Sequence, residues 1–488
     1  MPIFHHKSTV PANSRMPSPP LAKGNRFLER LSLALCGVLA LAFAIVLPPL
    51  QVNDEDGHFI RAYVISGGEF VGRGRPILPG PVVSFVMRYP EFSAWVHKFT
   101  PQEIVRDLPA RTVTEAAGGT ALTDDGPDHK YLIWAIIGSS TYCPLVYLPA
   151  SLGIWTARAL DASPLAMMYA ARMFNVLTFV AALAVSFRLA PGCRALMTAV
   201  ALMPMTLQLA GGISADLVTI AFSFVGLSLV LYAREHPVSR RFLFLVAVVF
   251  TMLALCKFSI WALPLLWLIP ASAFKNRREW LVYIGAVSIC MVGGLLIWNG
   301  INSVNMEALR AARLAHGIDI SANARLVSAH PLAFVRQLLA LVHSHYKSEV
   351  RQFIGAFGWT QLSLPFWVRP LYLLLLALVA AAGFSAKPFL GWERGILFLV
   401  FLAGFVFVHA AIFVSDGTLC AGNLDRLCFD SSAGVQGRYF LPFCLAGLLT
   451  LRQNRANLPQ VTLLALVTAA GTLHALAALA LIRSAFYL

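Results

Sequence analysis

A run of about twenty apolar residues, 31–50, lies near the start of the chain, directly after a short basic segment. A run of this length is enough to cross the hydrocarbon core of a bilayer as a helix. Similar runs recur along the chain, which is 58% hydrophobic and only 12% charged. In a soluble domain, roughly a quarter of the residues are charged. The chain is therefore predicted to be an all-α polytopic membrane protein.

The positive charge of the chain is explained by membrane topology. The formal net charge is +15, and the Lys and Arg residues occur in short clusters between apolar runs. This distribution is typical of cytoplasmic loops and excludes a nucleic-acid-binding surface. We predict a disordered cytoplasmic tail over 1–30 and a single membrane domain over 31–488. When the basic clusters are placed inside, the apolar runs give about eleven transmembrane helices, at 31–50, 165–189, 195–211, 217–233, 242–256, 260–274, 280–298, 367–386, 396–414, 439–451 and 461–482.

Three extracytoplasmic segments separate these helices. The first, 51–164, is large, and it includes an apolar stretch at 143–160. If that stretch crossed the membrane, the following basic clusters would fall outside, so we predict a juxtamembrane helix there. The other two segments are 299–366 and 415–436. The last of them contains Cys420 and Cys428, and because an extracytoplasmic compartment permits disulfides, we predict a bridge between them.

The most informative polar stretch follows the first apolar run directly. Asp54, Glu55 and Asp56 lie where that run leaves the bilayer, and His58 and Arg61 follow at helical spacing. Ionisable groups at a membrane boundary are costly and indicate a functional site with a partner. Since neighbouring carboxylates repel each other, the pKa of one of them rises, and we predict that Asp54 or Glu55 is a catalytic base. The alternative is a solvated loop that merely ends the first span.

Other polar residues are predicted at the same depth. Asp216 follows Ser214 at the outer start of a span, Lys257 ends an outward span, and Arg438 with Tyr439 begins an inward one. Each has a purely structural alternative: Asp216 as a helix cap, Lys257 as a snorkelling side chain, Arg438 as an interfacial anchor. As functional groups, they and His58 and Arg61 are predicted to bind substrate, with Gly437 allowing the backbone to approach the ligand closely.

Carboxylates and cations at one depth suit the transfer of a sugar from a lipid-linked phosphate donor to a hydroxyl group. The phosphate leaves without a strong general acid, so one base suffices, and the cations neutralise the departing phosphate. We predict no obligatory metal. If a divalent cation such as Mg²⁺ or Mn²⁺ does take part, Glu55 and Asp216 are the expected ligands.

Motifs along nearly the whole chain resemble a bacterial domain-of-unknown-function family, DUF2142. They are the 48–63 segment, the Tyr142–Pro149 stretch, Arg172 with Asn175, Ser214 with Asp216, Gly355–Trp359 and Gln436–Pro442. The family in turn resembles the GT-C superfamily of multispan glycosyltransferases, which use polyprenyl-phosphate sugars. Asn53 and Asp56 stand where the family often has proline, so the loop around the acids differs in rigidity.

The resemblance implies a GT-C fold and a location in the bacterial inner membrane, with the active site facing the periplasm. It also implies a polyprenyl-phosphate-linked sugar as donor and a glycan or a lipid-linked molecule as acceptor, in surface-polysaccharide assembly. Two other functions stay open: a transporter or flippase of a lipid-linked saccharide, and a non-catalytic subunit of an assembly complex. A transporter needs charges near the membrane midplane, and the sequence shows neither that distribution nor paired broken helices.

Overall fold

The structure is a computed structural model. It describes residues 23–72, 77–88, 102, 119–121, 136–358, 360, 362–382, 387–419, 427–428, 435–453 and 459–487. Within these residues the chain is helical almost throughout. The helices are α1 (Lys23–Val46), α2 (Glu55–Ser66), α3 (Gly80–Arg88), α4 (Leu148–Ala159), α5 (Pro164–Leu189), α6 (Arg194–Ala201), α7 (Pro204–Gly211), α8 (Ala215–Glu235), α9 (Arg240–Leu255), α10 (Arg277–Ile301), α11 (Ser303–Ala315), α12 (Ile320–Ala329), α13 (Pro331–Gly355), α14 (Val368–Ala381), α15 (Gly391–Asp416), α16 (Leu441–Thr450) and α17 (Gln460–Phe486).

Short 3₁₀ helices and two-stranded ribbons complete the fold. The 3₁₀ helices are Pro144–Tyr147, Pro191–Cys193, Ile260–Leu268, Ala271–Ala273 and Gly437–Phe440. Three antiparallel ribbons pair β1 (Ile77–Pro79) with β2 (Gly119–Ala121), β3 (Ala356–Phe357) with β4 (Leu362–Ser363), and β5 (Thr418–Leu419) with β6 (Leu427–Cys428). Cys420 lies outside the described residues, so the predicted Cys420–Cys428 bridge stays a prediction.

In the described part of the chain, six helices are long and apolar enough to span a membrane: α1 from Arg26, α5, α8, α10, α15 and α17. Two bent pairs raise the number to eight if each is one span: Pro191–Ala201 with α7, bent by 81°, and α12 with α13, bent by 108°. The prediction of a polytopic all-α membrane protein is confirmed. The finer prediction of eleven spans is not, and the bent pairs are a feature that the sequence did not predict.

The difference in number comes from predicted spans that are short or interrupted. Residues 260–274 form two 3₁₀ helices, the first containing Pro264, in place of a continuous α-helix. The helices α9, α14 and α16 have 16, 14 and 10 residues. At a rise of about 1.5 Å per residue, none of them reaches the roughly 30 Å of a hydrocarbon core.

The predicted outer segments contain helices of different lengths. The proposed juxtamembrane stretch holds α4, whose 12 residues extend about 18 Å and are too few to cross a bilayer. Residues 299–366 contain α11, α12, α13 and the β3–β4 ribbon. One boundary is corrected: α1 begins at Lys23, so residues 23–30 belong to the first helix and not to a disordered tail.

The helix α8 is the centre of the bundle. Its most apolar window is 83% buried, against 22–44% for the other five candidate spans. Close packing of α7 against α1 depends on a small residue: a Cβ at Gly211 of α7 would lie 2.6 Å from the Ala44 nitrogen of α1. Small residues let helix backbones approach each other where the hydrophobic effect cannot drive packing. The end of α7, and with it the start of α8, is thereby held against the last turns of α1.

Candidate functional site

The site begins where α1 ends. Pro48 and Pro49 cannot continue the helix, so the chain turns and restarts at Glu55 as α2. Asp54 precedes α2 with φ 59°, a left-handed conformation that non-glycine residues rarely adopt. Its side chain does not cap the helix and is 44% exposed. The turn therefore points this carboxylate away from its own helix and leaves it accessible.

Four charged side chains from four elements meet at this point. We call Asp54, Asp216, Lys257 and Arg438 the charge cluster. Arg438 Nη2 donates to Asp54 Oδ2 at 2.5 Å, and Lys257 Nζ donates to Asp216 Oδ1. Arg438 Nε lies 3.5 Å from Asp216 Oδ2, an ion-pair contact without hydrogen-bond geometry. Two cations thus face two carboxylates, and only Asp54 is substantially exposed.

Lys257 has a strained backbone conformation, and its ammonium group lies near two aromatic rings. It follows the end of α9 with φ 48°, and the next residue, Phe258, has φ 56°. Its ammonium lies 5.3 Å from the centre of the Tyr142 ring and 4.8 Å from that of Tyr439. Two successive left-handed residues are unfavourable and are typical of positions where function fixes the backbone. The ammonium is therefore presented to the cluster and not to the membrane surface.

The structural alternatives raised by the sequence do not describe these side chains. The N-cap of α8 is Ser214, and the Asp216 carboxylate binds Lys257 instead of capping the helix. The side chain of Lys257 is only 17% exposed and that of Arg438 only 3%. A snorkelling lysine or an interfacial anchor would extend into the headgroup region.

Glu55, one of the two predicted bases, is fully buried in an ion pair. Arg172 of α5 donates from Nε and Nη2 to the two oxygens of Glu55 at 2.9 and 2.6 Å. The backbone N–H groups of Ile213 and Val52 donate to the same carboxylate at 3.0 and 3.3 Å. Arg172 also donates to the carbonyls of Ala44, Leu47 and Pro48. This pair ties α1, α2, α5 and the start of α8 together.

His58 lies one turn after Asp54 on α2. Its Nδ1 is 2.7 Å from the Tyr147 hydroxyl, which donates to the Ser139 carbonyl at 3.3 Å. Burial lowers the pKa of the His58 imidazole to about 4, so the ring is neutral at physiological pH. The Tyr147 hydroxyl has one proton, so either it donates to the Ser139 carbonyl and His58 Nδ1 carries the ring proton, or it donates to Nδ1 and the ring proton is on Nε2.

Asp56 has a different environment. It is 4% exposed, and its Oδ1 accepts from the Gly57 N–H at 2.7 Å. Burial raises the pKa of the Asp56 carboxyl to about 7, and the neighbouring Asp54 charge adds to the increase. Asp56 is thus partly protonated near neutral pH.

Arg61 lies apart from the charge cluster, under the loop that follows α2. It is 1% exposed and donates from Nη2 to the Phe70 carbonyl at 2.5 Å. Within the described residues its Nε and Nη1 have no hydrogen-bond partner. The predicted role of Arg61 in substrate binding stays a prediction.

Arg438 is positioned by contact between its own turn and α13. The Gly437 N–H donates to Gln352 Oε1 at 3.2 Å, and a Cβ at Gly437 would overlap the Glu349 carbonyl oxygen. The close approach allowed by this glycine is therefore to α13, and not to a ligand as the sequence suggested. Arg438 Nη1 completes the arrangement by donating to the Asn53 carbonyl at 3.3 Å.

The structure brings together most of the residues that the sequence singled out. Asp54, Asp216, Lys257, Arg438 and Tyr439 share one site, with His58 beside it, whereas Glu55 and Arg61 face other partners. Tyr142 and Tyr147 were not predicted as site residues. Their signal was the Tyr142–Pro149 stretch, in which two tyrosines lie among prolines.

No group of three or more His, Cys, Asp and Glu side chains suited to a metal occurs in the described part of the chain. Of the two predicted ligands, Glu55 is engaged by Arg172 and Asp216 by Lys257. Metal dependence stays a prediction to be tested in solution.

A family model described as predicted membrane protein (DUF2142) matches residues 36–446. The chain belongs to the DUF2142 family. The expected membership is thereby confirmed, and the match includes the whole charge cluster. No curated protein and no solved structure matches this DUF2142 protein.

Proposed function

We propose that this DUF2142 protein is a GT-C-type glycosyltransferase that moves a sugar from a polyprenyl-phosphate donor to an acceptor hydroxyl. The observation that carries the proposal is the charge cluster, in which an accessible carboxylate, Asp54, is paired with the buried Arg438, and Asp216 joins Arg438 to the half-buried Lys257. The cluster lies where α8 begins and α9 ends, so it is at one face of the bundle and not at its midplane. A lipid-linked phosphate is available at that depth.

In the proposed reaction, Arg438 and Lys257 bind the donor phosphate. The phosphate displaces Asp54 from Arg438, which frees this carboxylate to accept a proton. The acceptor oxygen attacks the anomeric carbon while its proton moves to Asp54. The bond between that carbon and the phosphate oxygen breaks, and polyprenyl phosphate leaves with the electron pair, neutralised by the two cations.

The remaining parts of the proposal follow from topology. In this proposal the basic loops lie in the cytoplasm, as the positive-inside rule favours, so that the N-terminus is cytoplasmic and the charge cluster is on the periplasmic face of the inner membrane. The acceptor is then a glycan or a lipid-linked molecule in surface-polysaccharide assembly. We retain about eleven spans as part of this proposal, with the short helices α9, α14 and α16 completing the bundle. No divalent cation is required, since Arg438 and Lys257 supply the positive charge.

The test is release of free polyprenyl phosphate by the purified protein from a panel of polyprenyl-phosphate hexoses, measured by mass spectrometry. Asp54→Asn is expected to reduce release by at least about 10²-fold, the usual contribution of a positioned base. Asp161→Asn is the matched control, because Asp161 is an exposed aspartate with φ 52°, close to the 59° of Asp54. Equal activity of Asp54→Asn and wild type would exclude Asp54 as the base.

The Arg438→Lys variant separates the contribution of the positive charge from that of the hydrogen-bond geometry of the guanidinium. A guanidinium can hold a phosphate through two parallel hydrogen bonds, which lysine cannot reproduce. We expect Arg438→Lys to raise the apparent KM for donor with normal membrane insertion, and Arg438→Ala to be worse. Arg310→Lys, on the exposed surface of α11, is the control. Unchanged donor use by Arg438→Lys would leave Lys257 as the phosphate ligand.

A flippase for a lipid-linked saccharide is the second candidate, and the bent pair that ends in α7 favours it. Discontinuous helices often form transporter sites, and α7 leads into the Glu55 contact through Ile213. The donor assay decides between the two. A flippase moves the lipid-linked saccharide across liposomes without consuming it.

A further inference from the structure

An open cavity lies between the first halves of α9 and α10, and its volume is about 480 Å³. Its walls are mainly apolar. They include Leu243, Phe244, Ala247, Val282, Tyr283, Ala286, Val287 and Cys290. Phe244 is 72% exposed and Val282 62%, so apolar side chains continue outward from the cavity. Such a surface faces lipid acyl chains in a membrane protein. We call this cavity the groove.

The rim of the groove carries excess positive charge. Arg240 and Lys275 line it, and Arg241, Arg277 and Arg278 are adjacent in the chain. The single acid of the rim is Glu279. Its Oε1 lies 3.7 Å from Arg240 Nη2, and its Oε2 accepts from the Lys275 backbone N–H at 3.0 Å. One carboxylate among five basic residues leaves the rim suited to an anion.

The groove and the charge cluster lie at opposite ends of α9. The helix α9 begins at Arg240 on the rim and ends at Leu255, two residues before Lys257. Its 16 residues extend about 24 Å, which is most of the thickness of a hydrocarbon core. The rim is therefore at the headgroup level of the other leaflet, which the positive-inside rule makes cytoplasmic.

We propose that the groove binds an anionic phospholipid of that leaflet. One acyl chain lies along the apolar walls between α9 and α10, and the phosphate is held at the rim by Arg240 and Lys275. A free phosphate would leave the apolar walls uncovered. A zwitterionic phospholipid would leave the excess positive charge of the rim unbalanced. Basic pockets between transmembrane helices are suited to anionic headgroups, and each basic residue near an anionic lipid surface adds measurable affinity. The proposal does not depend on the proposed glycosyltransferase activity.

The test is native mass spectrometry of the full-length protein in detergent, titrated separately with phosphatidylglycerol and phosphatidylcholine of the same acyl chains. We expect one phosphatidylglycerol to bind more tightly than phosphatidylcholine. Removing the two rim charges in Arg240→Gln/Lys275→Gln should weaken phosphatidylglycerol binding roughly thirtyfold. The matched control is Arg26→Gln/Arg30→Gln, which removes two exposed basic residues at the start of α1 and should leave this binding unchanged.

A second variant tests the acyl-chain site without changing any charge. Ala247→Trp fills the groove from α9, where Ala247 is half-buried, and should also abolish the tight phosphatidylglycerol adduct. The proposal is overturned if the two lipids bind equally to wild type. It is also overturned if both groove variants retain the adduct, or if the α1 control loses it to the same extent as the rim variant.

Discussion

The three consecutive carboxylates at the start of α2 have three different environments. Successive residues at a helix start point about 100° apart, so each side chain meets a different neighbour. Asp54 faces Arg438, Glu55 is enclosed by Arg172, and Asp56 is buried against its own backbone. At the scale of single residues, one acid is therefore available for chemistry, one holds helices together, and one is sensitive to pH.

Glu55→Gln should destabilise the protein, because it leaves the buried Arg172 guanidinium without its counter-charge. Breaking one side of a buried ion pair typically costs about 3–5 kcal/mol. We expect a large fall in the thermal unfolding midpoint in detergent and little protein in the membrane fraction. Asp54→Asn, in which an exposed carboxylate changes, should keep the wild-type midpoint. A stable Glu55→Gln protein that has lost activity would instead make Glu55 a catalytic group.

The raised pKa of Asp56 predicts a pH-dependent stability. The folded protein binds a proton at Asp56 up to about pH 7, whereas the unfolded chain releases it near pH 3.8. The folded state therefore binds more protons between these values, and the Asp56 contribution to stability falls as pH rises through this window. We expect Asp56→Asn to raise the unfolding midpoint relative to wild type at pH 8 and to have little effect at pH 4.

His58 changes the stability in the opposite direction as pH rises, so its contribution must be controlled for. Its pKa is lowered from 6.5 to about 4, so stability from this group rises with pH between those values. The comparison of Asp56→Asn with wild type cancels the His58 contribution, which both proteins share. A midpoint difference that is the same at pH 4 and pH 8 would contradict the assignment to Asp56.

The sequence located this site but could not divide its roles. Three acids after an apolar run predict a boundary site, and the charge cluster lies at that boundary. The partner of Glu55 is 117 residues away, and nothing in local spacing indicates it. The same limit applies to Tyr147, whose contact with His58 depends on how the first outer segment folds back onto α2.

At the scale of elements, the contact between α13 and the turn of Gly437 sets the position of Arg438. Gly437→Ala is expected to lower donor turnover strongly, because its Cβ meets backbone atoms of Glu349 and Phe353 that cannot rotate away. The turn must then shift and carry Arg438 with it. The control is Gly395→Ala on α15, where nothing lies within 4 Å of the added Cβ. An alanine there should be neutral or stabilise the helix by up to about 1 kcal/mol.

Full activity of Gly437→Ala would show that Arg438 does not need this contact. Loss of activity with an unchanged unfolding midpoint would be the clearest support, since it separates positioning of the guanidinium from general damage to the fold.

Element type was predictable from apolar runs, but continuity was not. The runs at 165–189 and 461–482 correspond closely to α5 and α17. At 260–274 the composition is equally apolar, yet Pro264 lies within a 3₁₀ helix there and no long α-helix forms. Hydropathy measures how favourably a residue is buried in an apolar medium. It carries little information on whether the backbone continues as one helix through that medium.

At the scale of the whole molecule, the number of spans decides whether the two termini lie on the same side of the membrane. Eleven spans, as proposed, put the C-terminus on the side opposite to the N-terminus, whereas six or eight put both on one side. The basic clusters that follow the spans 165–189, 217–233, 260–274, 367–386 and 439–451 favour an odd number, because all five then fall on the cytoplasmic side. The basic residues of 299–366 fall outside in this topology.

This parity can be measured with single cysteines in a chain whose eight native cysteines are replaced. We expect Ser328→Cys on α12 and Ser484→Cys on α17, both exposed serines, to react with a membrane-impermeant maleimide in cells whose outer membrane alone is permeabilised. Ser18→Cys in the N-terminal segment and Ser272→Cys near the rim of the groove should react only after the inner membrane is opened. If Ser484→Cys and Ser18→Cys label together, the number of spans is even and the proposed topology is wrong. If Ser328→Cys and Ser272→Cys label under the same condition, the assignment of the groove and the charge cluster to opposite faces of the membrane is wrong.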